Sequence, residues 1–113
     1  MIKSYRDLIV WQKGMALTLE IQRAAVSIPA NIAEGHSRGS RGDYRRHVSV
    51  ARGSLAEMET HLELTRLLGL VPEDVTAVAE SLANEVGRML SALLRSLEQP
   101  SRSDRRAPSS PAP

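Results

Sequence analysis

Arginine is the residue type whose number and spacing in this sequence point most directly to chemistry. Thirteen of the 15 basic residues are arginine, and five of them fall between His36 and Arg52. These five are Arg38, Arg41, Arg45, Arg46 and Arg52. The same stretch contains one acid, Asp43. Because a planar guanidinium can donate two hydrogen bonds to one phosphate, the cluster predicts a phosphate-binding surface.

On a helix, Arg41, Arg45 and Arg52 lie in one stripe, since they are spaced by four and seven residues. Arg38 and Arg41 flank the start of that helix, where free amides and the helix dipole favour phosphate. Nucleic acid held in this way is bound through its backbone and released by salt. The alternative is a solvated face with intrahelical ion pairs, such as Asp43 with the arginine three residues later.

The other chemistry-bearing residues do not assemble into a recognisable site. The chain has no cysteine, which excludes disulfides and thiolate ligands. His47 and His61 are 14 residues apart, about 21 Å along a helix, which is too far to share a metal ion. Glu57 and His61 lack the Glu-x-x-His spacing of di-iron bundles. The glycines around the cluster lack the GK[ST] ending of a phosphate loop, and no serine lies in a nucleophile elbow. The sequence therefore predicts no metal, no cofactor and no enzyme.

Composition indicates one small helical domain. The 113 residues carry a net charge of +2, and aromatic residues make up 3% of them, which argues against base stacking as the mode of binding. No signal peptide and no apolar run of membrane-spanning length is evident, so a cytoplasmic protein without membrane contact is expected. Residues 99–113, rich in proline, serine and arginine, predict a disordered tail after a domain at 1–98.

Apolar periodicity predicts four helical segments and no strand. The segments carry Leu8, Trp11, Met15 and Leu19; Ile21, Ala25, Ile28 and Ile32; Tyr44, Val48, Ala51, Leu55, Met58 and Leu62; and Val75, Ala79, Leu82, Val86, Met89 and Leu93. Ser4 and Ser40 are predicted N-caps, and Gly69 is a predicted left-handed helix end. The fold class is all-α, and an antiparallel bundle is the expected architecture.

Two features of these helices leave alternatives open. Pro29 either bends a continuous helix or marks a restart with Ser27 as its cap, and Asn31 and Glu34 just beyond it can satisfy loosened backbone groups.

The fourth segment carries a line of small residues beside its leucines. Its candidate oligomer-interface residues are Ala83, Gly87, Ser91 and Leu94. They form either a broad core face within one bundle or the contact with a neighbouring protomer.

Four segments of the sequence resemble one known family. These are YRDLIVWQK, QRAAVSIPANIAEG, ARGSLAEMET and the leucine-rich helix ending in LLRSL. The chain is similar, over about residues 4–97, to four-helix-bundle proteins first met as reading frames within intervening sequences of 23S ribosomal RNA genes. The accessory protein of diversity-generating retroelements is a relative. The resemblance implies an up-down-up-down four-helix bundle assembled as a homopentamer, no known catalysis and a nucleic-acid-linked role.

In the fold of that family, Glu34 and Glu57 are alternative partners for Arg52 inside the assembly, so they and Asn31 are expected to be structural polar residues. The sequence departs from the family at Glu20, which is joined directly to Ile21 without a turn. Either the chain has one long first helix and three helices in all, or residues are missing at this point. We favour the second reading, which predicts four helices and a gap near Glu20.

Two functional hypotheses follow. The first is a non-enzymatic homo-oligomeric bundle whose arginine-rich surface binds RNA, DNA or a nucleic-acid-processing protein. The second is a purely structural oligomer or protein-interaction module whose arginines are occupied in ion pairs.

Overall fold

The structure is a computed structural model that describes residues 3–98, and these residues form three α-helices and no strand. Helix α1 spans Tyr5–Ser37, α2 spans Arg41–Leu67 and α3 spans Glu73–Glu98. The predicted all-α class is confirmed. Helix α2 packs against both neighbours, whereas the backbones of α1 and α3 do not approach each other within the described range. The predicted tail at 99–113 lies outside the described residues.

The four-helix bundle predicted from the sequence is wrong for the described residues. Helix α1 continues without interruption through Glu20 and Ile21, so the gap and the turn expected there are absent. The physical reason is local, because the segment from Met15 to Ile28 contains no glycine, proline or asparagine that would end a helix. The alternative of one long first helix and three helices is the one observed.

Capping residues set the ends of the helices as predicted. The hydroxyl of Ser4 accepts a hydrogen bond from the Asp7 amide at 3.1 Å, and that of Ser40 accepts one from the Asp43 amide at 3.0 Å. Gly69 has a φ of +64°, the left-handed conformation that a residue without Cβ adopts at low cost after a helix. These caps keep the connections between helices short.

Pro29 lies inside continuous α1, so the restart with Ser27 as its cap is not observed. In the same turn, the side-chain amide of Asn31 donates to the carbonyl oxygen of Ser27 at 2.9 Å and to its hydroxyl at 3.0 Å. The Ser27 hydroxyl also bonds to the hydroxyl of Ser54 on α2, at 2.8 Å. These contacts hold α1 to α2 beside the proline.

The core lies along α2, and seven buried apolar side chains form it. They are Ile28, Val48, Ala51, Leu55, Ala83, Leu90 and Leu94. The α2 side of this core follows the predicted heptad seam. On α3, however, the predicted stripe is confirmed only in part, because Val86 and Leu93 pack against this core whereas Val75, Leu82 and Met89 are each more than half exposed. The residues one position later face α2 instead, since Ala83 is small enough to let the two backbones approach.

None of the three described helices is both long and apolar enough to cross a membrane.

Candidate nucleic-acid interface

A groove of about 550 Å³ lies between α2 and α3. Its lining residues are Arg52, Leu55, Ala56, Glu59, Ala83, Asn84, Gly87, Arg88, Ser91 and Arg95. We call it the arginine groove, after Arg52 on α2 and Arg88 and Arg95 on α3. Arg88 and Arg95 are two helical turns apart, so both project from the same side of α3.

Small residues on α3 create the floor of the arginine groove. A Cβ placed on Gly87 would lie 3.3 Å from Cδ2 of Leu55, so the two helices are close together at this point. Ala83 is buried and Ser91 is half-buried along the same line. The short side chains leave a trough, and the long exposed arginines border it. The groove is therefore a consequence of close helix packing.

The arginine groove is electropositive within the described residues. Three guanidinium groups line it, against one carboxylate, that of half-buried Glu59. Arg52, Arg88 and Arg95, together with exposed Arg45 seven residues before Arg52, have no hydrogen bond or ion pair to residues 3–98. Each of these groups keeps its donors available for an external acceptor, and phosphate oxygens match the geometry of those donors.

The other arginines of the predicted cluster have partners. Arg38 pairs with Glu34 at 2.8 Å, and Arg46 pairs with Asp43 at 3.6 Å, both within a helix turn. The guanidinium of Arg41 donates to the carbonyl oxygens of Leu97 at 3.1 Å and Ser96 at 2.6 Å. These carbonyls belong to the last turn of α3 and have no partner within their own helix. Arg41 thus caps α3, and of the five cluster arginines Arg45 and Arg52 remain unpaired among the described residues.

Within the described part of one chain, neither Glu34 nor Glu57 is a partner of Arg52. Asn31 bonds to Ser27, Glu34 pairs with Arg38, and a carboxylate oxygen of Glu57 lies 3.9 Å from Nε2 of His61. Their contacts are therefore made with residues of their own helices.

The candidate oligomer-interface residues lie against α2 of the same chain. Ala83 is 1% exposed and Leu94 is 4% exposed, and both belong to the core. Gly87 and Ser91 line the arginine groove. For Ala83 and Leu94 this arrangement corresponds to the alternative of a core face within one chain. A contact of this helix with a neighbouring protomer stays a prediction.

Sequence reasoning missed Arg88 and Arg95. Both lie outside the dense run between His36 and Arg52, so neither contributes to a visible cluster. Their spacing of seven residues was the available signal, because it places them on one helix face. Their proximity to Arg52 could be seen only once the packing of α3 against α2 was known.

The fold and the groove define a class, that of small all-α proteins with an electropositive groove between two helices. The sequence then assigns the chain to one family within this class. It belongs to the 23S rRNA-intervening sequence protein family, whose family model matches residues 15–92, more than half of the chain. This match confirms the resemblance seen in the sequence. No curated protein matches the chain.

Proposed function

We propose that this protein is a non-enzymatic, homo-oligomeric helical protein that binds the phosphate backbone of RNA or DNA in the arginine groove. The observation that carries the proposal is the set of exposed arginines that have no partner among residues 3–98, three of which line one groove. The family description supports a link to nucleic acid, since it names an intervening sequence of 23S rRNA.

The residues that line the arginine groove favour contact with the backbone over reading of bases. None of them is aromatic, so the groove offers no surface on which a base could stack. Guanidinium groups supply charge and hydrogen-bond donors to phosphate oxygens, which carry no sequence information. We therefore expect binding with little sequence preference and a steep dependence on salt.

Single arginine substitutions test the proposal. Fluorescence anisotropy with a structured RNA and a DNA duplex at low salt should show binding, and Arg52→Ala and Arg88→Ala should each weaken it. A loss of about tenfold is expected for each, since a hydrogen bond to a charged group contributes about 1.5 kcal/mol. Arg41→Ala is a poor probe because Arg41 caps α3.

Arg46→Ala is the matched control for these variants. Arg46 is an exposed α2 arginine of the same sequence cluster, but it pairs with Asp43 and does not line the arginine groove. Its removal should change affinity by less than about twofold. Absence of binding at low salt, or an equal loss for Arg46→Ala and Arg88→Ala, would contradict the proposal.

A second groove supports the oligomeric part of the proposal. A groove of about 760 Å³, which we call the apolar groove, separates the first half of α1 from the start of α3. Trp11 is 53% exposed, Met15 is 44% exposed and Val75 is 54% exposed, and all three line it. An apolar surface of this kind in a small protein is typical of a protein–protein contact. We propose that a second copy covers it, in a homopentamer as the family resemblance implies.

Light scattering tests the assembly. The protein at micromolar concentration should have the mass of an oligomer, with five chains as the expected number. Met15→Glu should lower that mass, because it places a charge in the apolar groove, whereas Gln12→Glu on an exposed position outside the groove should not. A monomer for the unmodified chain would contradict this part.

The alternative function is a purely structural oligomer or protein-interaction module. The apolar groove is the observation that favours it, since that groove needs no nucleic acid to be filled. The affinity of the oligomer for RNA or DNA distinguishes the two functions. An oligomer without affinity for RNA or DNA at low salt would support the alternative.

A further inference from the structure

Three metal-ligating side chains meet where the first half of α1 crosses α2. Helix α1 supplies Glu20, and α2 supplies Glu57 and His61, which are one helical turn apart. One ligand atom from each residue can be chosen so that all three atoms lie within 4.8 Å of one another. The sequence pattern predicted no metal because the histidine and carboxylate spacings within one helix do not fit one, whereas the third residue of this cluster comes from another helix.

His61 is the side chain that most needs a partner in this cluster. Its Nδ1 is buried and has no hydrogen bond to residues 3–98, and its Nε2 lies 3.9 Å from Glu57, too far for a hydrogen bond. A neutral imidazole has one donor nitrogen and one acceptor nitrogen, and buried groups of this kind are normally satisfied. A metal ion can bind a neutral imidazole through its acceptor nitrogen, and Nε2 is the nitrogen of His61 that lies next to Glu57.

The donor set fits a divalent transition-metal ion. One imidazole and two carboxylates are ligands that zinc accepts, with bonds of about 2.0–2.2 Å and one further position for water. Binding requires the three ligand atoms to approach one another, and rotation of exposed Glu57 and half-buried Glu20 can provide this. A cavity of about 240 Å³ beside the cluster, lined by Glu57 with Ser27 and Ser54, leaves room for water.

The competing contact is a surface ion pair. Arg23 pairs with Glu20 from the next turn of α1, and the arginine side chain is 72% exposed. An exposed pair of this kind contributes little and opens readily, so a metal ion can displace the arginine.

We propose that Glu20, Glu57 and His61 form a binding site for a divalent transition-metal ion that joins α1 to α2, with zinc as the probe. The site is separate from the arginine groove and does not depend on the proposed function. Its effect is to hold the first half of α1 against α2, because metal that binds the folded state alone stabilises that state.

Calorimetric titration of the metal-free full chain with zinc tests the site. One zinc ion per chain is expected. Glu57→Gln and His61→Ala should each lower the affinity at least tenfold, and Arg23→Ala should raise it because the competing cation is gone. Replacing zinc by cobalt should give visible absorption bands of a four-coordinate site, and these bands should be lost in Glu57→Gln.

Matched controls are available on the same chain. His36→Ala and Glu85→Gln remove an exposed histidine and an exposed carboxylate that are not part of the cluster, and they should leave the affinity unchanged. Because His61 is half-buried, Glu57→Gln decides the question if His61→Ala does not fold. Absence of zinc binding, or binding that Glu57→Gln leaves unchanged or that His36→Ala lowers equally, would overturn the proposal.

Discussion

The two ends of α2 differ in how well the side chains around them are shielded from solvent. Around the first half of α2, where Val48 and Ala51 have no exposed surface, the side chains of all three helices contribute to one core. Around its last turns, Leu62 and Thr65 are still buried, but Trp11 on α1 is 53% exposed. We call these regions the closed end and the open end.

Residue size explains the difference. At the closed end, a Cβ on Gly35 of α1 would lie 2.6 Å from the Cβ of His47 on α2. A Cβ on Gly87 of α3 would lie similarly close to Leu55 on α2, so α2 is close to both neighbouring helices. At the open end, a Cβ on Gly14 would meet only Cδ1 of Leu70, at 3.9 Å, which belongs to the connection after α2, and no atom of α2 or α3 lies within 4 Å of it. Close packing produces both the core and the arginine groove, whereas wider spacing leaves the apolar groove.

The largest expected effect is on the core of the closed end. Leu90→Ala should lower the free energy of unfolding by about 2–5 kcal/mol, because Leu90 is 3% exposed and its loss leaves a cavity. Its neighbour Met89 is 65% exposed, and Met89→Ala should change that free energy by less than about 0.5 kcal/mol. Urea unfolding of both variants measures the contrast. Equal losses would show that α3 presents a different face to α2.

The next effect compares two glycines at the closed end. Gly35→Ala should destabilise the protein by about 1–3 kcal/mol, since the added methyl group meets His47. Gly53→Ala should instead stabilise it by about 0.4–1 kcal/mol, because nothing lies within 4 Å of that position and alanine favours a helix. Thermal unfolding measures both. A stabilising Gly35→Ala would contradict the close crossing of α1 and α2.

The smallest effect concerns an ion pair in the last turns of α2. Arg66 donates to both carboxylate oxygens of Glu63, at 3.0 Å and 2.5 Å, and this lowers the pKa of Glu63 below its ordinary value of 4.5. A carboxyl whose pKa is lowered on folding stabilises the protein above its unfolded pKa, and this contribution is lost as pH falls through the folded pKa.

Glu63→Gln should therefore lower Tm slightly at pH 7, and the difference from the unmodified protein should shrink below about pH 4.5. The effect is small because the pair is on the surface. Glu85→Gln, which removes an exposed carboxylate of α3 without a partner in the described range, is the control. A Tm difference that does not change with pH would exclude this ion pair as the cause.

Local sequence signals predicted the helix ends and the buried face of α2 well. The cap at Ser40, the left-handed Gly69 and the heptad seam through Val48, Ala51 and Leu55 are all observed, because each depends on residues close in sequence. The face of α3 was predicted only in part, since Val86 and Leu93 pack against the core but Val75, Leu82 and Met89 are exposed. That helix carries apolar side chains on several faces, so periodicity alone does not decide which face contacts α2.

The open end, the arginine groove and the proposed metal site depend on contacts between residues far apart in the sequence, and these contacts cannot be deduced from the sequence alone. The continuous course of α1 through Glu20 was the less favoured alternative, since the family pattern argued for a turn. The arginine groove joins Arg52 to Arg88 and Arg95 across two helices, and the metal-ligating cluster joins Glu20 to α2. Both constellations follow from helix packing, and so they became visible only in the structure.

The salt dependence of nucleic-acid binding tests the central claim, that the arginine groove neutralises backbone phosphates. Each phosphate contact on duplex DNA contributes about −0.9 to the slope of log K against log salt concentration. We expect a steep slope for the unmodified protein, a slope reduced in magnitude by about 2.7 when Arg52, Arg88 and Arg95 are all changed to alanine, and no change for Arg46→Ala. A slope near zero, or one that the triple variant leaves unchanged, would contradict it.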